Sequence, residues 1–375
     1  MVFEKNQQAF FVLVKAGLWE KDERLLSNEM LDYDKIFRLA EEQSVIGLVA
    51  AGLEHIVNVK PQKELVLEFV GQTLQLEQRN KAMNNFIGDI VGKMGNAGIY
   101  ALLIKGQGIA QCYERPLWRA SGDVDFLLSA DNYKKAYSFL KPVALSVEEE
   151  DKYYRHIALN IDPWVIELHG SLRSGLWSRL DKELDKVQNA IFYGGNVRSW
   201  MNGNVQVFLP KSNEDIVLVF CHILQHFFLE GIGLRQICDW CRLLWTYRDE
   251  IDEKLLASRL KAMGIESEWK SFACLAVNTL GMPAEAMPFY SSDNRWQRKA
   301  NKVLSFVMET GNFGHNRDYS YYKKYPYVVY KSISMWRHFK DGVRFFSIFP
   351  LDSMKVTERR IKKGFKLAIK GTNHE

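Results

Sequence analysis

Apolar residues recur at intervals of three and four through residues 1–95. The spacing is clear in "YDKIFRLAEEQSVIGLVAAGLEHI" and again from Pro61 along "ELVLEFVGQTLQLEQRNKAMNNFIGDIVGKM", which predicts helices with one buried face. The rhythm ends at "NAGIY". From Ile99 the pattern shortens to strand length: "IYALLIK" and "VDFLLS" are brief continuous apolar runs, and "YRHIALNI" and "WVIELHGSL" are two further strands joined at Asp162-Pro163. A second hairpin is expected in "NAIFYGGNVRSWMNGNVQVFLP", with Gly194-Gly195 and Asn202-Gly203 as turn formers. Helical spacing then returns in "KSNEDIVLVFCHILQHFF", where Ser212 is expected as N-cap with Asp215 at N3, and continues through "LRQICDWCRLLW". The chain reads as an α+β protein with an N-terminal helical region (1–95), a central mixed-sheet α/β domain (96–210) and a C-terminal helical region (211–375).

Composition changes this picture little. A chain of 375 residues, 47% hydrophobic and 25% charged, can bury a large core and is no disordered polymer. No uninterrupted apolar run reaches the roughly 18 residues of a membrane span, and the start lacks the basic and apolar regions of a secretory signal, so a cytoplasmic location is expected. Five cysteines in such a chain read as reduced, mostly buried thiols.

Charge adds more. Between Arg317 and Lys370 fourteen Lys/Arg stand against four Asp/Glu, a surplus of +10 in a chain whose total is +5. The basic residues alternate with aromatics in "YSYYKKYPYVVYKSISMWRHFKDGVRFF", and "RRIKKGFKLAIKG" follows. Residues 317–370 can be drawn as amphipathic helices suited to an anionic membrane surface. The same composition would suit RNA, or a helical face packed on the body and kept soluble by its charges.

Candidate chemistry is concentrated in "LLIKGQGIAQCYERPLWRASGDVDFLLS", residues 102–129. A strand, a glycine turn at Gly106 and Gly108 and a short helix offer backbone N–H groups to a phosphate. Asp123 and Asp125, two apart on a strand, point to one side, a repulsive arrangement that a divalent cation relieves. Removing either charge is therefore expected to spare or even stabilise the metal-free fold. Asp32 and Asp34 repeat the spacing, but in "LDYDKIF" they open a helix and read as capping. Glu167 lies inside an apolar strand and shares a face with His169, so it joins the aspartates if its strand neighbours "VDFLLS". Three acids around two metal ions suit in-line attack of a hydroxyl on the α-phosphate of a nucleotide. His222, His226, Cys238 and Cys241 have the count of a zinc site, but both pairs fall in apolar helical runs where core packing accounts for them. Arg235 and Asp239, four apart, form an ion pair on one helix or reach toward the cleft.

The run "KGQGIAQCY…RPLWRASGDVDFLL…VIELHGSL", with the later "HILQHFFLEGIGLRQICDWCRLL", resembles the polymerase-beta-type nucleotidyltransferase superfamily and, within it, a bacterial branch of uncharacterised nucleotidyltransferases. The similarity covers roughly residues 85–250. It implies a nucleotidyltransferase-like central domain that moves an NMP from a Mg2+-bound (or Mn2+-bound) NTP, such as ATP, to a hydroxyl acceptor. Asp123 and Asp125 would hold both metals, and Glu167 would complete the site for the metal that activates the acceptor. Lys105, Gly106, Gln107 and Arg119 are the implied phosphate contacts, although the superfamily usually carries Gly-Ser or Gly-Gly where this chain has Gly106-Gln107. The acceptor, whether a sugar or other small molecule, a protein or an RNA end, is not specified by these residues. The alternative function is a non-catalytic nucleotide-binding or scaffold protein with a basic membrane- or RNA-facing tail; retention of three like charges argues against a dead site.

Overall fold

The computed structural model describes residues 4–25, 31–59, 63–316, 325 and 327–369. Helices α1 (Lys5–Trp19), α2 (Tyr33–Glu42), α3 (Ile46–Glu54) and the long α4 (Lys63–Asn96) precede the first strand. Asp32 caps α2 by accepting from the Lys35 N–H, so the second Asp-x-Asp is a helix start, as its sequence context indicates. Near the start of α3, Gly47 touches the loop that leads into the candidate site. A Cβ there would meet the Trp118 carbonyl oxygen at 2.0 Å, so only glycine allows the approach.

A seven-stranded mixed sheet occupies the centre, as the apolar runs predict. Its strands are β1 (Ala101–Ile104), β2 (Val124–Leu128), β3 (Ser146–Val147), β4 (His156–Ile161), β5 (Trp164–His169), β6 (Val197–Asn202) and β7 (Val205–Pro210), in spatial order β3-β4-β5-β2-β1-β7-β6. β2 runs parallel to β5 and antiparallel to β1, and β1 pairs in parallel with β7. Alternation then sorts the side chains. Val124, Phe126, Leu128, Ile157, Leu159, Ile166 and Leu168 fill a core beneath α4 and α6 (Ala130–Leu140). Asp125, Glu167 and His169 are thereby turned to the opposite face.

That opposite face is covered by α5 (Gly106–Ala110), α7 (Ser178–Tyr193), α8 (Ser212–Leu229) and α9 (Leu234–Thr246). Behind them pack α10 (Glu253–Met263), α11 (Glu266–Asn278), α12 (Asn294–Thr310) and a final pair, α13 (Tyr327–Phe346) and α14 (Pro350–Ile369). Two local expectations are corrected. The expected hairpin is confined to β6 and β7, and "NAIFY" instead ends α7, because Leu180, Leu184, Val187 and Ile191 continue one buried helical stripe through it. Ser212 does not cap α8. Lys211 holds that position, the Ser212 hydroxyl donates to Glu250, and Asp215 pairs with Arg198 at 2.7 Å, so tertiary partners take both side chains from the expected capping box.

Candidate active site

β1 ends at Ile104; Lys105 follows with φ 58° and Gly106 with φ 41°. A side chain at such an angle carries strain of roughly 1–3 kcal/mol, and glycine takes the second such position without that cost. The turn sends the chain into α5 and lets Lys105 reach across to β2, where its Nζ lies 3.0 Å from Asp125 Oδ1. Parallel pairing sets Asp125 directly beside Glu167, and the alternation of β5 puts His169 on the same face. His169 Nε2 stands 2.7 Å from Asp125 Oδ1 and 3.4 Å from Glu167 Oε2. Asp123, just before β2, completes an acidic group: one carboxylate oxygen from each of Asp123, Asp125 and Glu167 falls within 4.8 Å of the others. Three converging carboxylates form the oxygen donor set that suits Mg2+ or Mn2+.

Ionisation in this group follows position. Asp125 is buried, which alone would raise its pKa, but the charges of Lys105 and His169 overcome burial and hold it below the usual carboxylate range. Asp123 lies exposed at the mouth and is raised, first by the Asp125 charge and then by desolvation. Burial opposes the charge on Glu167 too, yet hydrogen bonds from His156 and His169 lower its pKa. Burial works against protonation of Lys105 and His169, and the surrounding carboxylates more than reverse it, so both are raised.

These groups line a cleft of about 500 Å³ between the sheet and helices α8 and α9, within the size range of small-molecule sites. His222 and His226 face it from α8 with their rings 4.3 Å apart, and the Phe313 ring packs 4.8 Å from His226. Burial, then Lys105, pushes His222 well below its usual pKa. Arg235 enters from α9, bonding the Ala120 carbonyl and stacking over Phe313.

The remaining expected site residues have different surroundings. Arg119 lines the cleft, but its Nε and Nη2 donate to Asp239 at 2.8 and 2.7 Å, and only Nη1 is buried without a partner. Asp239 is therefore the partner of Arg119; of the two arrangements open to Arg235 and Asp239, the ion pair gives way to this contact over 120 residues of chain, and both residues line the cleft. The Gln107 amide is buried toward α4, donating to Asn80 and Ser121. Cys238 and Cys241 are buried in the helical core, where desolvation raises both thiols. All five cysteines are free and buried. Sequence reasoning overlooked His156, whose Nε2 lies 3.1 Å from Glu167. Its signal was the tight β4–β5 turn, which sets His156 opposite His169.

No curated protein and no solved structure matches the chain. A family model described as uncharacterised nucleotidyltransferase matches residues 29–281, well over half of the sequence and all of the cleft's sheet, α8 and α9. With the acidic group on β2 and β5 inside that span, the chain belongs to the uncharacterised nucleotidyltransferase family.

Proposed function

We propose that the protein transfers a nucleoside monophosphate from an NTP to a hydroxyl acceptor. The observation that carries this reading is the convergence of Asp123, Asp125 and Glu167 within 4.8 Å, facing the Lys105-Gly106 turn. Mg2+ or Mn2+ held by these carboxylates would neutralise charge on the triphosphate and on the attacking and leaving oxygens. Lys105, the Nη1 of Arg119 and Arg235 supply fixed positive charge around the same cleft, where it would orient the triphosphate. The acceptor oxygen bonds to the α-phosphorus as the bond to the β-phosphate breaks; the hydroxyl proton passes to solvent and pyrophosphate leaves. Purified protein should release pyrophosphate and transfer label from one of the four NTPs in a screen of sugars, proteins and RNA ends. Glu167→Gln should slow that transfer roughly 100-fold or more while changing NTP affinity little. A Glu167→Gln rate equal to wild type would remove the carboxylate group from the mechanism, and no transfer with any NTP would leave the scaffold reading.

The partner of the basic C-terminal helices is, in our reading, an anionic membrane surface. Val329, Trp336, Phe339, Val343 and Phe346 are exposed along α13, within an arc of about 100°. Leu351, Met354 and Ile361 are exposed along α14. The opposite side of the pair is already satisfied, with Phe345, Ile348, Phe349 and Val356 buried against the body. Exposed Lys340 and Lys362 flank the apolar stripes, a complement to anionic lipid rather than to a protein core. No helix of the described residues is long and apolar enough to cross a membrane, so the contact is peripheral. Full-length protein should float with anionic vesicles and not with neutral ones. Trp336→Glu with Phe339→Glu should abolish flotation; unchanged flotation would overturn the assignment, as would salt-sensitive RNA retention with no flotation.

A further inference from the structure

We propose that His156, Glu167 and His169 form a nitrogen-rich metal site that takes a d-block dication such as Co2+ or Zn2+ in preference to Mg2+. The site adjoins the acidic group and shares Glu167 with it. Its assignment needs only these three side chains. The part its ion plays, as one of two unlike metal positions, rests on the nucleotidyl-transfer reading.

The backbone builds the site from one short piece of sheet. β4 and β5 are antiparallel and joined by a two-residue turn, which places His156 directly opposite His169. Glu167, two residues before His169, projects from the same face. One ligand atom from each of the three residues lies within 4.8 Å of the others. Both imidazoles direct Nε2 at the same oxygen, Glu167 Oε2, at 3.1 Å from His156 and 3.4 Å from His169. Ligand atoms bound to a tetrahedral ion at about 2.0–2.1 Å are themselves separated by roughly 3.3 Å, so the spacing already matches that of a coordination shell. Rigid strands hold it there, without a loop that would have to order on binding.

Donor chemistry sets the preference. Imidazole nitrogen is a good ligand for Co2+ and Zn2+ and a poor one for Mg2+, which favours oxygen. Two histidines and one carboxylate leave further positions on the ion for water or a substrate oxygen, the layout of a working centre rather than a closed structural one. The side chains are reachable from the cleft, His156 being 32% exposed and His169 15%. His169 Nε2 also lies 2.7 Å from Asp125 Oδ1, a hydrogen bond that ion binding would replace.

The test is a Co2+ titration of metal-stripped full-length protein in excess Mg2+, followed by the visible absorption of the ligated ion. One equivalent should bind, and Zn2+ but not Mg2+ should displace it. His156→Ala and His169→Ala should each weaken Co2+ binding by more than about 100-fold, beyond the effect of losing an outer partner. Asp123→Asn should leave the signal in place, because Asp123 belongs only to the neighbouring group. If both histidine variants bind Co2+ like wild type, or Mg2+ competes at equal concentration, the ion sits on the carboxylates and the proposal fails. Melting temperatures accompany each variant, with His156→Gln and His169→Gln replacing any alanine variant that does not fold. Mg2+-supported transfer without an imidazole-dependent Co2+ signal would sink this site alone. The Co2+ signal without transfer from any NTP would sink the transfer reading alone.

Discussion

Asp123 and Asp125 differ by two positions and are governed by opposite neighbours. The charge of Asp125 is the main influence raising the pKa of Asp123, which sits exposed at the cleft mouth. Asp125 is buried and owes its ionisation to Lys105 at 3.0 Å and His169 at 2.7 Å. The Asp-x-Asp spacing predicts that either charge can be removed without harm to the fold; this geometry separates the two. Asp123→Asn relieves repulsion, so its melting temperature should equal or exceed that of wild type in metal-free buffer. Asp125→Asn leaves the half-buried Lys105 and His169 without their nearest carboxylate and should destabilise by roughly 1–3 kcal/mol. Both should lose transfer activity. Thermal unfolding of the pair checks the contrast, which fails if Asp125→Asn melts at or above wild type.

The same separation of local from distant causes holds for whole elements. Helix α9 fixes the segment between α5 and β2: Asp239 accepts from the Tyr113 hydroxyl and two guanidinium nitrogens of Arg119, and Arg242 bonds the Cys112 and Leu18 carbonyls and Glu114. Asp239→Ala would strand Arg119 in the interior at a cost of roughly 3–5 kcal/mol. Urea unfolding should record that loss as a lower midpoint with an unchanged slope, and a change below about 1 kcal/mol would mean that Arg119 finds another partner. Nothing near Arg119 in sequence announces this contact, because Asp239 lies in another helical segment. By contrast, the Asp-x-Asp strand, the Lys-Gly turn and the inward face of Glu167 were legible, since each depends on a period or dihedral set by adjacent residues. The cap of α8 was not legible for the reason that hid Arg119: partners on other elements decided it. The end of α7 was written locally, in the helical spacing of Leu180, Leu184, Val187 and Ile191, but the glycine pair after it reads as a hairpin turn. His156 falls between these cases, visible once the β4–β5 register is drawn and invisible in a scan for acids.

At the scale of the molecule, the α13–α14 pair carries its apolar stripe outward while polar contacts fasten it inward. Arg344 pairs with Glu309, Arg359 with Asp181, and the Arg360 guanidinium donates to the carbonyls that end α8. Asp181 also accepts from the backbone of Ser174, a cleft residue, so the pair is tied to the cleft rim. One fastening should depend on pH. Glu268 on α11 is wholly buried beside Asp352 at the start of α14, with Lys299 and Lys355 near them. Desolvation, then Asp352, raises the Glu268 pKa well above the ordinary carboxyl value. Neither of its oxygens has a hydrogen-bond partner, and a shared proton would supply one. In this range the folded state holds more protons than the unfolded state, so stability is fully present below the unfolded pKa near 4.3. It declines as pH rises through the folded pKa. Burial lowers the pKa of Lys299, which opposes this slope only toward alkaline pH. Glu268→Gln keeps a neutral donor beside Asp352 and should flatten the decline, gaining roughly 1–3 kcal/mol at the upper end of a series from about pH 5 to pH 9. Parallel curves for wild type and Glu268→Gln would show that this carboxyl is not the titrating group. A flattened curve would identify the buried carboxyl pair as a proton-dependent latch holding α14 to the body.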